Sequence, residues 1–178
     1  MAGDMRCLCE PEGIHTATLS GDPDDSDPNI WMRFEMSLPA GWSMISLPLI
    51  PQDSHVDALF PGAGAMFRFQ AAYELLDPDD VLTAGEGYWI YLGAAQVFVL
   101  EGMAFDRITM LAVPSGWSMI GGCSGSARGS VTHGKIRGIF GFKNGYRHLD
   151  QDATLEPGRG YWMNCSEPAA LTIDMVDE

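Results

Sequence analysis

The stretch Gly41-Trp42-Ser43-Met44-Ile45 occurs a second time as Gly116-Trp117-Ser118-Met119-Ile120, at an offset of 116 − 41 = 75. A second landmark repeats in the same order, Gly87-Tyr88-Trp89 and Gly160-Tyr161-Trp162, with 160 − 87 = 73. Two ordered matches at a nearly constant offset mark an internal duplication. In a chain of 178 residues this leaves about 70 residues per copy, near the lower size at which a core is self-sufficient. Copies that small gain by packing on each other, so one fused body is expected. The expected boundaries are an acidic irregular leader, 1–29, a first repeat, 30–102, and a second repeat, 103–178.

The pattern of both copies is that of strands. Trp31, Arg33, Glu35 and Ser37 alternate with Met32, Phe34, Met36 and Leu38, a period of two. Pro39-Ala40-Gly41 predicts a turn, after which Trp42–Leu47 returns as a second strand. Met66–Phe69 and Ala72–Leu76 predict a hairpin about Gln70-Ala71. Tyr88–Leu92 and Gln96–Leu100 predict a last strand pair around Gly93-Ala94, and His55–Phe60 one helical turn. The second copy retraces this from Arg107, with the hairpin signal Asn144-Gly145. Only 19% of residues are charged, and 21 Gly and 11 Pro punctuate the chain. The predicted fold is all-β: two homologous small modules of about five strands each, packed with pseudo-twofold symmetry.

A β module of this size without helices needs large rings to fill its core. Trp42, Trp89, Trp117, Trp162, Tyr88 and Tyr161 recur in both copies and are expected to be that core. Matched glycines are expected where φ is positive or where backbone passes close to a ring.

The motif order resembles a β-repeat common in secreted and cell-surface proteins of bacteria and archaea. The resemblance rests on Gly41-Trp-Ser-Met-Ile-Ser-Leu-Pro48 with Gly116–Ile120, and on Leu82-Thr-Ala-Gly-Glu-Gly-Tyr-Trp-Ile90 with Leu155-Glu-Pro-Gly-Arg-Gly-Tyr-Trp-Met163. It covers residues 34–174. It implies a repeat that accompanies adhesion, dockerin-like or protease domains, and it brings no catalytic residues with it. Extracytoplasmic location is an implication of the resemblance alone: Met1–Glu10 lacks the basic and apolar regions of a signal peptide.

A formal charge of −14, with Lys135 and Lys143 the only lysines, disfavours nucleic acid and anionic membrane surfaces as partners. No apolar run reaches the length of a membrane-spanning helix. Protein or polysaccharide partners fit this composition, and the oligomeric state is left open.

Reactive residues form no persuasive constellation. In Gly121–Ser130 the nucleophile-elbow and P-loop patterns both fail at their last positions, so a flexible Gly/Ser loop is expected. Cys123 and Cys165 both fall in the second copy. A disulfide between them is feasible if the strands they follow are neighbours, and free buried thiols are the alternative. Asp22, Asp24, Asp25 and Asp27 offer oxygen ligands for Ca²⁺ in a Pro-stiffened loop without the EF-hand's Gly and Glu. Asp77, Asp79 and Asp80, matched by Asp150 and Asp152, form a second acidic turn. No other cofactor is expected.

The functional expectation is a non-catalytic binding or structural module of an extracytoplasmic bacterial protein. A carbohydrate-binding module is the first alternative, with Trp31 and Tyr91 as its aromatic platform. A small hydrolase using Cys123 or a serine of 124–130 is the second.

Overall fold

In the computed structural model, residues 32–176 are described. The leader 1–29, Trp31 and the Asp22, Asp24, Asp25 and Asp27 set lie outside the described residues. Fourteen strands and one short helix occur among the described residues. In the first copy they are β1 (Met32–Leu38), β2 (Gly41–Ser46), β3 (Ile50–Pro51), α1 (Val56–Leu59), β4 (Ala65–Phe69), β5 (Tyr73–Leu75), β6 (Gly87–Leu92) and β7 (Gln96–Met103). In the second they are β8 (Arg107–Val113), β9 (Gly116–Ile120), β10 (Ala127–Val131), β11 (Ile136–Phe142), β12 (Tyr146–Leu149), β13 (Tyr161–Cys165) and β14 (Ala169–Met175).

The fold is all-β. Four small antiparallel sheets form, in the orders β1-β7-β3, β2-β6-β4-β5, β8-β14-β10 and β9-β13-β11-β12, a propeller-like set of four blades. Each copy thus contributes seven strands, where about five were expected. Each copy holds one strand that the pattern did not indicate, β3 in the first and β10 in the second. β3 has two residues ending in a proline, and β10 (Ala127–Val131) lies in the Gly/Ser stretch expected to be a flexible loop. β10 instead pairs with β14 over its whole length, from Ala127↔Met175 to Val131↔Leu171.

The two tight turns read as hairpins are corners. β1 pairs with β7, and β2 with β6, so β1 and β2 are not partners, nor are β6 and β7. One long ladder runs from Met32↔Gly102 to Ser46↔Gly87 and passes from one sheet into the next. At the corner Pro39-Ala40 lies opposite Gly93-Ala94-Ala95, and Gly41 takes φ +94°. Gly116 repeats this at φ +92°. Only glycine adopts this conformation without a steric penalty, which explains the first residue of the repeated motif.

Each copy encloses its own apolar cluster. The first includes Ile45, Leu47, Phe60, Met66, Tyr88, Ile90 and Leu100; the second includes Ile120, Cys123, Ile139, Leu155, Met163 and Leu171. A third cluster draws on both copies: Met44, Trp89, Met119 and Trp162, flanked by Phe67, Phe69, Phe140 and Phe142.

The contacts between copies come in matched pairs. A Cβ on Gly87 would fall 2.7 Å from the Ile120 carbonyl oxygen, and one on Gly160 would fall 2.6 Å from that of Ile45. The Ser46 amide donates to the Gly158 carbonyl at 3.1 Å, and the Gly121 amide to the Gly85 carbonyl at 2.7 Å. The Gly-Tyr-Trp motif divides the work. Glycine admits the other copy's backbone. Tyr88 Oη accepts from the Thr83 amide at 2.7 Å, as Tyr161 Oη accepts from that of Glu156 at 2.8 Å, tying down the preceding loop. The tryptophan packs across the join.

Candidate functional site

Two equivalent aromatic clefts are the most distinctive surface among the described residues. The first, about 420 Å³, is lined by Trp42, Phe67, Tyr73, Trp89 and Phe142. The second, about 450 Å³, is lined by Trp117, Phe140, Tyr146, Trp162 and Phe69. Their linings correspond residue by residue at the repeat offsets. Four rings come from one copy, and the fifth is a phenylalanine reaching over from the other.

The strand register explains this. On β2 and β6, Trp42 and Met44 lie opposite Tyr91 and Trp89; on β4, Phe67 faces Trp89 across the ladder. Alternation therefore places these rings on one face of the four-stranded sheet, while Ile45, Tyr88 and Ile90 point into the core. Phe142 ends β11 and packs on Trp89 at 4.8 Å between centroids, with planes at 77°. Phe69 packs on Trp162 at the same distance and angle. Edge-to-face contacts of this kind are favourable beyond the area they bury.

Trp42 and Trp117 are each 44% exposed, whereas Trp89 and Trp162 are 8% exposed. The expectation that all four tryptophans are core holds for Trp89 and Trp162, with Tyr88 and Tyr161, and is corrected for Trp42 and Trp117. The physical reason is position: Trp42 and Trp117 follow the corner glycine on β2 and β9, each the edge strand of its sheet, where only one side of the ring finds neighbours. Tyr73 and Tyr146, 54% and 56% exposed, form the outer lip. The Tyr73 phenol is pushed above its usual pKa by burial and then by the neighbouring Tyr146.

Tyr91 is exposed and lies 5.2 Å from Trp42, but the two planes meet at 55°. A flat platform from these rings is not formed. The matching position in the second copy is Asn164, opposite Trp117, so this pair is particular to one copy.

The nucleophile candidates are sequestered. Cys123 and Cys165 are free, buried thiols within one core cluster, and the disulfide alternative is not realised. Burial, followed by the charges of Asp174 and Asp106, pushes the Cys123 thiol up to about 11, the reverse of what a nucleophilic thiolate requires. The buried Ser124 hydroxyl donates to the Pro48 carbonyl at 2.6 Å and accepts from the Phe105 amide at 2.8 Å. It is a structural tie between the copies. Cys123 and Ser124 are thus both buried, with Ser124 bonded to backbone on either side.

Among the described residues, no group of three or more metal-ligating side chains converges. Asp80 instead caps its own turn, accepting from the Asp77 amide at 2.7 Å. No helix among them is long and apolar enough to cross a membrane. The paired clefts went unread because a repeated tryptophan looks the same in sequence whether it fills a core or a surface groove. The signal that could have found them was the additional matched aromatic set Phe67/Phe140, Phe69/Phe142 and Tyr73/Tyr146. No protein-family model, curated protein or solved structure matches this chain.

Proposed function

We propose that this chain is a non-catalytic binding module whose ligand surface is the pair of aromatic clefts. The observation that carries the reading is the exposure of Trp42 and Trp117 in clefts lined by rings alone. An open groove of five aromatic side chains is costly to leave in water, and exposed apolar patches of this kind mark interaction sites. Rings meeting at steep angles, such as Trp42 and Trp89 at 90°, make walls for an inserted apolar side chain. They make a poor bed for the flat face of a sugar. A protein partner is therefore the favoured ligand, and a polysaccharide the second.

The same reading takes the chain as two modules, about 30–102 and 103–178, related by a pseudo-twofold axis. Reciprocal contacts support it: Phe142 meets Trp89 as Phe69 meets Trp162, the pattern of an isologous interface within one chain. Placement of the module on an extracytoplasmic bacterial protein extends the resemblance carried by the Gly-Trp and Gly-Tyr-Trp motifs.

The test is to pan a displayed peptide library and a set of soluble polysaccharides against the full chain, then repeat with Trp42→Ala and Trp117→Ala. A selected ligand that one or both variants lose, while the variant still unfolds cooperatively and stays folded at the assay temperature, supports the reading. Ligands that bind both variants as well as the parent, or turnover of any of them, would overturn it.

A further inference from the structure

The cavities beside the two aromatic clefts differ in charge: basic residues outnumber acidic ones beside Trp42, whereas one Arg and one Glu balance beside Trp117. Beside the Trp42 cleft lies a further cavity of about 340 Å³, sharing Trp42 and Phe142 with it and lined by Lys143 and Arg159. Another, of about 300 Å³, shares Phe142, Lys143 and Arg159 with it and adds Arg147. The positions matched to Lys143, Arg147 and Arg159 are Gln70, Glu74 and Glu86; Gln70 and Glu86 line the corresponding cavity beside Trp117 together with Arg68, which pairs with Glu74. Three of the chain's ten basic residues thus gather on one side of one aromatic cleft, in a protein of net charge −14.

The carboxylates near this basic wall are already engaged. Glu156 pairs with Arg159 at 2.5 Å and Glu35 with Arg33 at 3.2 Å, while Lys143 and Arg147 form no ion pair among the described residues. The opposite wall is β1, from Phe34 to Leu38. β1 is the edge of its sheet, and among the described residues no strand covers its outer side. An uncovered edge presents a row of backbone donors and acceptors suited to an added strand.

We propose that this cleft binds an extended acidic peptide segment of a partner protein. The segment pairs along the outer edge of β1, sets its carboxylates against Lys143 and Arg147, and inserts an apolar side chain beside Trp42. The proposal rests on the binding-module reading and adds to it a sign of charge, a strand-like conformation and one occupied cleft of the two. The cavity beside the Trp117 cleft sets one carboxylate, Glu86, against one guanidinium, Arg68, and so lacks the excess positive charge that would hold the same segment.

The experiment uses two fluorescein-labelled peptides, one alternating Asp and Leu and one alternating Lys and Leu, titrated against the full chain by anisotropy at about 0.05 and about 0.3 M NaCl. The expected result is one site per chain that prefers the acidic peptide by roughly tenfold or more and weakens several-fold in the higher salt. Lys143→Glu combined with Arg147→Glu should abolish the preference, and amide shifts on titration should map to 34–38. Lys143 and Arg147 lie on an exposed hairpin, and unchanged thermal unfolding checks that the variant folds. Equal binding of both peptides, binding of neither, or an acidic-peptide affinity unmoved by the double variant overturns the proposal. If Trp42→Ala removes peptide binding but the charge variant does not, the acidic-segment proposal falls while the aromatic binding module stands.

Discussion

A Cβ on Gly121 would fall 2.4 Å from the Cβ of Ser46, and 46 + 75 = 121 makes these the same position of the duplicated sequence. Two equivalent residues that touch each other have room for one side chain between them. Ser46 occupies it: the residue is fully buried, and its hydroxyl donates to the Arg159 carbonyl at 2.9 Å. The matching acceptor for a side chain at 121 is the Glu86 carbonyl, 3.2 Å from the Gly121 Cβ position.

Gly121→Ser in the parent should therefore overpack the join, lowering stability by roughly 1–3 kcal/mol. Combined with Ser46→Gly it should recover most of that loss, because the space moves to the other copy along with a replacement hydrogen bond. Urea unfolding of the two single variants and the double gives the coupling energy directly. Additive losses would count against the reciprocal relation between copies.

The two kinds of repeated tryptophan should separate in stability. Trp89→Ala or Trp162→Ala removes a ring that is 8% exposed and central to the shared aromatic cluster, at a cost of roughly 3–5 kcal/mol. Trp42→Ala or Trp117→Ala removes a ring that is 44% exposed, and roughly 1–2 kcal/mol is expected from its partial burial. Chemical denaturation midpoints of the four variants are the measurement. Equal losses in all four would restore the first two tryptophans to the core.

Much of this architecture was legible before any coordinates. Most strand positions (β3 and β10 excepted), the hairpin at Asn144-Gly145 and the helical turn at 56–59 follow from alternation and turn chemistry, which are local. Pairing was less legible. Pro39-Ala40-Gly41 reads equally as a hairpin turn or as a corner, and what separates them is the partner of β2, which lies some 45 residues downstream at Tyr88–Leu92. The clefts were hidden for a related reason. Phe142 and Phe69 complete them from the opposite copy, and no window of sequence reports a contact across the join. The buried thiols were foreseen as one of two outcomes, since spacing alone does not fix whether Cys123 and Cys165 bridge.

Thiol chemistry should follow burial. Cys123 and Cys165 both have raised pKa values from desolvation, so neither should react with a thiol reagent in the native protein near pH 8, and both should react on unfolding. The sign for stability follows from linkage. The folded thiol of Cys123, at about 11, holds its proton at pH values where the unfolded one has lost it. Its stabilising contribution is complete below the unfolded value near 9 and is lost as pH rises towards 11. Cys123→Ala should flatten that alkaline decline in a pH series of unfolding midpoints. Rapid native labelling of Cys123 would show that the thiol is open to solvent.

The turn that aims Phe69 at Trp162 carries a correctable strain. Ala71 has φ +65°, and its match Asn144 has φ +56°; the turns share a closing bond, Gln70 amide to Ala72 carbonyl and Lys143 amide to Gly145 carbonyl, each 3.0 Å. Alanine in this left-handed region suffers crowding between Cβ and the carbonyl, whereas asparagine and glycine tolerate it. Ala71→Asn should raise stability by roughly 0.5–1 kcal/mol, and Ala71→Gly by somewhat less because the unfolded chain gains freedom. The reverse change, Asn144→Ala, should lower stability by a similar amount. Both follow from urea midpoints at constant slope. Because Phe69 lines the Trp117 cleft and Phe142 the Trp42 cleft, ligand binding at each should tighten or weaken with its own turn. A loss of stability in Ala71→Asn would mean that the turn is held in its conformation by contacts that the asparagine side chain disrupts.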